Sequence, residues 1–391
     1  MVSPYFDIAT VVLYIIIGMV GVICINAMMQ PNPHRKAYLD KRDYSKVSFY
    51  CFIILYTFIA VFRKVSSGIG GSDAISYILN FETILQGSLL EYALNRKLES
   101  GFQLFTSTIR SVFSDYHIYF FIIYGFISFS YIKFIKEKCP NCQTYIPFIL
   151  LMYPYLRAFN TIRTSMAVSF VLLALIIMDK KKWTSLALMI ASVFFHRMSI
   201  IMILVWPYYY LFRNKVYKIS RSKLLLVVGF TVVIVFIVTQ YIQSILGVVI
   251  ELDDRDIGFA TRNQDNNPFE RYPLVLGHLL LFATLIWYYK RIKWNDSTIY
   301  LRTIFIYDFY LIPVCVILGM WRFVEYFYPV RLALWCVILD SLMTRNRNRP
   351  KDVTIKIVSF LLFTSWLVLR IFKEWEPVKI SPYIFDFGWL I

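Results

Sequence analysis

Long apolar runs separated by short charged stretches form the dominant pattern of this chain. A helix that crosses the hydrocarbon of a bilayer needs about 17–25 predominantly apolar residues. Runs that meet or approach this length predict membrane spans near 7–29, 47–62, 116–135, 143–156, 162–178, 183–195, 198–212, 224–250, 272–289, 299–319, 322–343 and 353–372. The pattern predicts an all-α polytopic membrane protein with about 12 transmembrane helices, in a single polytopic domain over residues 1–391.

Lysine and arginine in the short loops predict the orientation of these spans. One set of alternate loops is rich in lysine, as at Lys180–Lys182, and such loops face the cytoplasm. Both termini and the segments 63–115 and 251–271 then lie on the outer side. The first span has neither the basic stretch nor the cleavage site of a signal peptide, so we expect it to be retained. The net charge of +17 follows from this topology, and no nucleic-acid partner is expected.

The segment 63–115 predicts two short helices on the outer side, where loops of this length often bind substrates. Glycines at 68, 70 and 71 break the chain, and Ser72 can cap a helix that runs to about Glu82. One face of this amphipathic helix on the outer side would be polar and the other apolar, with Asp73, Ser76, Tyr77 and Asn80 opposite Ile75, Ile78 and Leu79. The run GFQLFTSTIRSVF (101–113) is too short to cross the membrane and predicts a re-entrant helix.

The outer side holds many arginines and few lysines, although the positive-inside rule disfavours both there. A guanidinium is planar, weakly hydrated, and matches a phosphate or carboxylate with two parallel hydrogen bonds. The enrichment therefore indicates an anionic ligand at the outer leaflet. The alternative is that individual arginines pair with outer carboxylates such as Asp73, Glu99 and Glu325.

The strongest anion site is predicted where the span at 162–178 begins. Asn160 can cap a helix starting at Thr161, which places Arg163 in the first turn and Arg157 at the end of the preceding helix. The N–H groups and the dipole of a helix N-terminus attract anions. Two arginines beside such a terminus suit a diphosphate, whereas the alternative is snorkelling to lipid phosphates.

Further candidate residues are predicted at the same outer level. His196 and Arg197 close the span at 183–195, so His196 can serve as a general base, as a hydrogen-bond donor or as a structural residue. Arg322 and Glu325 lie three residues apart on one predicted helix, and the alternative to a functional role is that they pair. Aromatic residues at the outer ends, such as Tyr326, are compatible with sugar stacking and with an interfacial belt.

Other charged and sulfur-containing residues predict no further chemistry. Asp308 and Arg331 reach similar depths on neighbouring spans, and we expect an ion pair with a mainly structural role. Cys139 and Cys142 form a single CxxC pair, which is weak support for a metal or redox site. This pair alone does not predict a metal site, and without a P-loop or dinucleotide motif in the sequence no cofactor is expected.

Four segments, in the same order, resemble the EpsG/Wzy-type bacterial polysaccharide polymerases. They are GIGGSDAISYILNFE (68–82), ESGFQLFTSTIRSVF (99–113), FNTIRTSMAVSFVLLALIIMDKKKW (159–183) and FFHRMSIIMI (194–203). The resemblance covers residues 60–210 well, and beyond them only the region from Arg322 to Arg331 looks similar. The family commonly has Arg-Gln after the isoleucine, whereas Thr164 follows Arg163 here, so a glutamine contact is not carried over.

The resemblance implies a metal-independent membrane glycosyltransferase of the multi-spanning, C-type class in the bacterial inner membrane. Its substrate would be an undecaprenyl-diphosphate-linked oligosaccharide at the periplasmic face, and a Wzz-type partner would regulate chain length. A sugar hydroxyl on one repeat unit would attack the anomeric carbon of another, and undecaprenyl diphosphate would leave.

This interpretation assigns the candidate residues to three roles. The diphosphate and its growing charge would be held by Arg157, Arg163 and Arg322. The acceptor hydroxyl would be activated by one of Asp73, His196 and Glu325. Further substrate contacts are expected from Tyr77, Glu99, Arg197, Arg271 and Tyr326.

Three other functions are open at this stage. An O-antigen-ligase-type glycosyltransferase shares the donor but uses lipid A–core as its acceptor. A transporter or flippase of lipid-linked oligosaccharide usually places substrate-binding charges at the membrane midplane, whereas the candidates here cluster at one face. A membrane O-acyltransferase would use His196 and Arg197 and would depend on an acetyl donor.

Overall fold

The computed structural model describes residues 7–29, 44–66, 69–71, 73–84, 86–88, 90–92, 99–138, 154–217, 222, 325–331, 333–334, 353–354, 357–358, 361 and 383–386. Regular secondary structure in these residues is helical, as the sequence predicts, and the β-structure is limited to isolated bridges. The helices are α1 (Ile8–Met29), α2 (Tyr44–Val61), α3 (Ala74–Thr83), α4 (Ser100–Val112), α5 (Tyr116–Lys138), α6 (Ile162–Ile177), α7 (Lys182–Phe195), a 3₁₀ turn (Arg197–Ser199) and α8 (Ile200–Tyr217).

Six predicted spans coincide with helices, namely those near 7–29, 47–62, 116–135, 162–178, 183–195 and 198–212. Among the described residues, α1 over Ile8–Ile25 and α5 are long and apolar enough to cross a membrane, whereas Lys46–Val61 of α2, α6 and α7 are shorter apolar helices. The spans predicted near 224–250, 272–289 and 299–319 lie outside the described residues, as do most of the remaining three. The count of twelve spans therefore stays a prediction.

Contacts along the chain divide it into two compact units, residues 1–200 with 343–391 and residues 201–342. In the first unit, α2 packs against α1 and α5, α5 packs against α6, and α6 packs against α7, while α4 packs against α3, α5 and α7. The second unit includes most of α8 and the helical residues 325–331, where Tyr326 and Phe327 are buried. A single polytopic domain remains the prediction for the whole chain.

Helix α1 has an apolar side chain at nearly every position, and some of these side chains are buried against other helices while others are exposed. Tyr14, Ile17 and Ile25 are buried, whereas Ile16 and Ile23 on other sides are more than half exposed. A helix that exposes large aliphatic side chains along its length would be poorly solvated by water. Contact with lipid satisfies it, because its backbone hydrogen bonds are internal.

Helix α3 exists as predicted, but its N-cap is Asp73 rather than Ser72, and the predicted division of its faces is wrong. Its buried residues are Ala74, Tyr77, Ile78 and Phe81, so a tyrosine from the predicted polar face lies inside with an isoleucine from the apolar face. Phe81 stacks on Tyr119 of α5 with 4.7 Å between ring centroids, and Tyr77 meets Phe102 of α4 edge-to-face. The burial of Tyr77 and Phe81 is therefore determined by aromatic packing against two helices rather than by the amphipathic pattern of the sequence.

The run at 101–113 forms one uninterrupted helix, α4, over Ser100–Val112. Its buried residues include Phe102, Thr106 and Ile109, which follow the three-to-four-residue spacing of a helix face. Thr106 makes a hydrogen bond of 3.2 Å with the hydroxyl of Tyr119, which connects α4 to α5. The predicted helix is confirmed, and its re-entrant insertion stays a prediction.

Candidate functional site

Two glycines bring the segment between α2 and α3 against the turn that precedes α6. Gly70 and Gly71 have φ angles of 83° and 114°, a region of backbone space that favours glycine. A Cβ atom on Gly71 would lie 2.4 Å from the carbonyl oxygen of Phe159. Only a residue without a side chain permits this approach, which places the beginning of α3 beside residues 158–161.

The predicted cap of α6 is wrong in its residue and its partner. The helix begins at Ile162 with Thr161 as its N-cap, and the Thr161 side chain makes no capping hydrogen bond. Its hydroxyl instead donates to the carbonyl of Arg157 at 3.1 Å. Asn160 belongs to the preceding turn, where its side-chain oxygen accepts a 2.5 Å hydrogen bond from the backbone N–H of Asp73. Asn160 therefore joins α3 to α6 and leaves the first N–H groups of α6 without a side-chain cap.

Arg163, in the first turn of α6, lies at the centre of a polar cluster. Its Nη1 forms an ion pair with Oε2 of Glu99, and its Nε donates to the hydroxyl of Tyr77 at 3.3 Å. The side chain of Arg163 is 22% exposed and that of Glu99 is 12% exposed. Among the described residues no group accepts from Nη2 of Arg163. The pairing foreseen as an alternative role for outer arginines is present here, and it leaves part of the guanidinium open.

A close helix contact brings His196 to the same cluster. Gly101, at the start of α4, approaches Phe194 of α7 so closely that a Cβ atom would lie 2.5 Å from Cβ of Phe194. This contact holds Glu99, two residues before Gly101, near His196. Burial alone would raise the pKa of Glu99, but Arg163, His196 and hydrogen bonds outweigh it, so the pKa of Glu99 is below its ordinary value. Glu99 is therefore a carboxylate near neutral pH.

His196 ends α7 as predicted and is 3% exposed. Its backbone N–H donates to Ser192, and its carbonyl accepts from the N–H of Ser199. The hydroxyl of Ser192 donates to that of Ser199 at 2.9 Å, which closes the corner between α7 and the 3₁₀ turn. These bonds fix the backbone of His196 at the end of α7, and the side chain is close enough to Glu99 to act on the charge of its carboxylate.

Arg63 is one of the many outer arginines of the sequence, and the structure buries it next to this region. Its side chain is 1% exposed and contacts both the glycine segment and the turn before α6. A usable signal was its position directly between the apolar run of α2 and the glycines at 70 and 71. That position predicts a turn, but it does not predict burial.

The structure thus places together four of the predicted site residues, Tyr77, Glu99, Arg163 and His196. Asp73 joins them through its backbone N–H, while its own side chain is exposed. Arg157 is half-buried one turn before α6, and Arg197 is exposed.

The other predicted site residues lie either in the second unit or outside the described residues. Glu325 and Tyr326 belong to the second unit, where Glu325 is half-buried and Tyr326 is fully buried. Arg271 and Arg322 lie outside the described residues. Asp308 does as well, so its pairing with the buried Arg331 stays a prediction.

The cluster combines a partly open guanidinium, an uncapped helix N-terminus, a fixed carboxylate and an imidazole. The first two are suited to an anion, because both present N–H donors and positive charge. The last two suit proton transfer, since a nearby carboxylate stabilises an imidazolium. In the part of the chain that is described, no three His, Cys, Asp or Glu side chains form a group suited to a metal ion.

Comparison with known proteins adds one family. The model of the EpsG family matches residues 46–385 and so includes every residue of the cluster. No curated protein and no solved structure matches the chain. The match confirms the resemblance carried by the four sequence segments and extends it well beyond residue 210.

Proposed function

We propose that this chain, which belongs to the EpsG family, joins undecaprenyl-diphosphate-linked repeat units at the periplasmic face of the bacterial inner membrane. Membership of this family associates the chain with polysaccharide polymerisation in a membrane. The lipid-linked substrate, the glycosyl transfer and the membrane face are our proposal. The observation that carries it is the cluster of Tyr77, Glu99, Arg163 and His196 around the uncapped start of α6.

The proposed reaction transfers a glycan between two lipid-linked repeat units. A sugar hydroxyl of the acceptor attacks the anomeric carbon of the donor, and the bond from that carbon to the diphosphate oxygen breaks. The electron pair leaves with undecaprenyl diphosphate, and the proton of the hydroxyl goes to a base. Negative charge grows on the diphosphate, so the main catalytic requirement is a positive site fixed before the reaction begins.

Arg163 supplies that positive site in our proposal. Glu99 and Tyr77 hold one side of its guanidinium, so that its orientation is set without substrate. The remaining Nη2 and the first N–H groups of α6 then bind the diphosphate together. Arg157, one turn earlier, adds a second cation to the leaving group.

His196 is the base that best accounts for the arrangement. A neutral imidazole that accepts a proton becomes a cation, and the Glu99 carboxylate beside His196 stabilises that cation. Asp73 presents an exposed carboxylate at the edge of the same region, which suits contact with the sugars. The chain-length regulator expected from the resemblance would act on the product rather than on this step.

The test is the polysaccharide ladder of a deletion strain complemented with variants at normal expression, separated on a gel and silver-stained. Arg163→Gln is expected to abolish long chains. This variant leaves Glu99 unpaired, so the double variant Glu99→Gln/Arg163→Gln is made beside it. If Arg163 only neutralises Glu99, the double variant restores long chains and the diphosphate role is wrong. If it acts on the substrate, both variants lack them.

The deletion strain also separates the alternative functions. Loss of a polymerase leaves a single repeat unit attached to the acceptor, whereas loss of a ligase leaves none attached. A flippase would move lipid-linked oligosaccharide across a liposome membrane without lengthening it. Chain lengthening by the purified protein, with lipid-linked repeat units extracted from the deletion strain, is the outcome that our proposal requires.

A further inference from the structure

Arg63 is a buried cation just beyond the end of α2. Its side chain is 1% exposed, and among the described residues no carboxylate forms an ion pair with it. A buried charge without a counter-charge is costly unless every donor is satisfied. The hydrogen-bond partners of this guanidinium therefore indicate its role in the structure.

The nitrogens of Arg63 reach four different parts of the first unit. Nε donates to the carbonyl of Gly70 at 2.7 Å, and Nη1 donates to the carbonyl of Ala60 in α2. Nη2 donates to the hydroxyl of Tyr124 in α5 at 2.6 Å and to the carbonyl of Phe159 at 3.3 Å. One planar group thus connects α2, α5, the glycine segment (residues 69–71) and the turn before α6 (residues 158–161).

Aromatic rings enclose the same guanidinium. Its central carbon lies 4.5 Å from the ring centroid of Phe159, 4.8 Å from that of Tyr124 and 5.2 Å from that of Phe120. Such rings attract a cation through their faces, which replaces part of the lost hydration. The backbone of Arg63 is also held, because it forms an antiparallel bridge with Phe385, flanked by a hydrogen bond from Lys64 N–H to the Ile384 carbonyl.

Two of the three carbonyls to which Arg63 donates belong to segments that lead into the candidate site. Gly70 comes three residues before Asp73, and Phe159 comes directly before Asn160. The hydrogen bond between Asp73 and Asn160 joins α3 to the start of α6. Arg63 therefore stabilises the contact between the starts of α3 and α6, where Arg163 donates to the hydroxyl of Tyr77.

We propose that Arg63 is a positioning residue for glycan polymerisation, which locks the segment 69–73 to the turn 158–161 and so sets the geometry around Arg163. The inference rests on the proposed function for its kinetic part only. A lysine cannot replace this arginine, because it offers three donors around one atom rather than a planar fork that reaches several acceptors. It keeps the positive charge, so Arg63→Lys separates charge from geometry.

The experiment compares purified full-length wild type, Arg63→Lys and the control Arg110→Lys. Arg110 is a second outer-segment arginine that lies over the ring of Phe81 and donates to the nearby Ser114 carbonyl. The first readout is hydrogen–deuterium exchange of peptides covering 69–74, α2 and α5. The second is the rate of chain lengthening with lipid-linked repeat units extracted from the deletion strain, resolved into kcat and KM.

For Arg63→Lys we expect faster exchange over 69–74 with α2 and α5 as protected as in wild type, and a kcat about 100-fold lower. KM changes by less than about threefold, since the binding groups remain and only their alignment is lost. Arg110→Lys matches wild type in both readouts.

Unchanged exchange over 69–74, exchange raised equally throughout α2 and α5, or a wild-type kcat would each overturn the inference. If wild type itself forms no polymer, the proposed polymerase function fails. The exchange readout then decides alone whether Arg63 locks the segment.

Discussion

The contact between Gly101 and Phe194 provides the most direct test of how the site is assembled. A Cβ atom at position 101 would lie 2.5 Å from Cβ of Phe194 and 2.7 Å from its carbonyl oxygen. Carbon atoms in ordinary contact are about 3.5–4.0 Å apart. In Gly101→Ala, α4 and α7 must therefore separate by about 1 Å, because the neighbouring atoms include backbone that cannot rotate away.

The displacement falls where it matters for the proposed reaction. Glu99, two residues before Gly101, forms an ion pair with Arg163 of α6, and His196 follows Phe194 by two residues. A misplacement of about 1 Å can lower a rate about 100-fold, which corresponds to about 2.7 kcal/mol in the activation barrier. The helical preference of alanine over glycine, at most about 1 kcal/mol, works in the opposite direction on stability.

The assay measures chain lengthening by reconstituted protein, together with thermal unfolding in detergent. Gly125→Ala is the matched control, because a Cβ atom there meets only the side chain of Thr57 at 3.9 Å, an ordinary contact. We expect Gly101→Ala to lose about 100-fold in kcat and Gly125→Ala to keep the wild-type rate with equal or higher stability. Turnover at the wild-type level in Gly101→Ala would refute the argument that this contact aligns the site.

Two further predictions concern other residues in or beside the candidate site. Glu99→Gln should destabilise the protein by about 2 kcal/mol at pH 7, because it leaves the mostly buried Arg163 unpaired. Because the pKa of Glu99 is lowered, the contribution of the ion pair to stability is complete above the ordinary pKa of 4.5 and disappears as the pH falls through the lower folded value. The unfolding temperatures of wild type and Glu99→Gln should therefore converge in acid. A gap that stays constant with pH would contradict the pairing. Gly71→Ala combines a φ angle of 114° with a Cβ atom 2.4 Å from the Phe159 carbonyl oxygen. We therefore expect this variant to lose about 3 kcal/mol or more in stability. An unfolding temperature equal to that of Gly125→Ala would show instead that the segment moves aside.

The helices that carry the site follow from local properties of the sequence. Apolar runs placed α1, α2, α5, α6 and α7 within a few residues of their observed bounds, because an apolar side chain at nearly every position suits a helix in lipid. The ends of α7 and the separate helix α4 were equally predictable, since polar residues or glycines interrupt the runs there. The anion-binding potential of Arg163 also follows from its place in the first turn of a helix.

The partners of these residues were decided by tertiary packing. Tyr77 faces the interior because its ring meets Phe102 of α4, although its neighbours in sequence suggested a polar face. Asn160 bonds to Asp73 rather than capping α6, because the glycine segment brings the start of α3 against its turn. No local pattern contains the distance between segments that are 87 residues apart in the chain.

The sequence by itself thus determined the described helices and which helix ends carry charge, because these depend on neighbours within a few turns, and the order of four segments along the chain indicated the family it resembles. Only the tertiary structure decided that Arg163 pairs with Glu99, 64 residues away, and that the buried Arg63 reaches the Phe159 carbonyl, 96 residues away. The physical reason is steric and electrostatic: glycines allow backbones to touch, and buried charges then require the donors and acceptors that those contacts bring within reach.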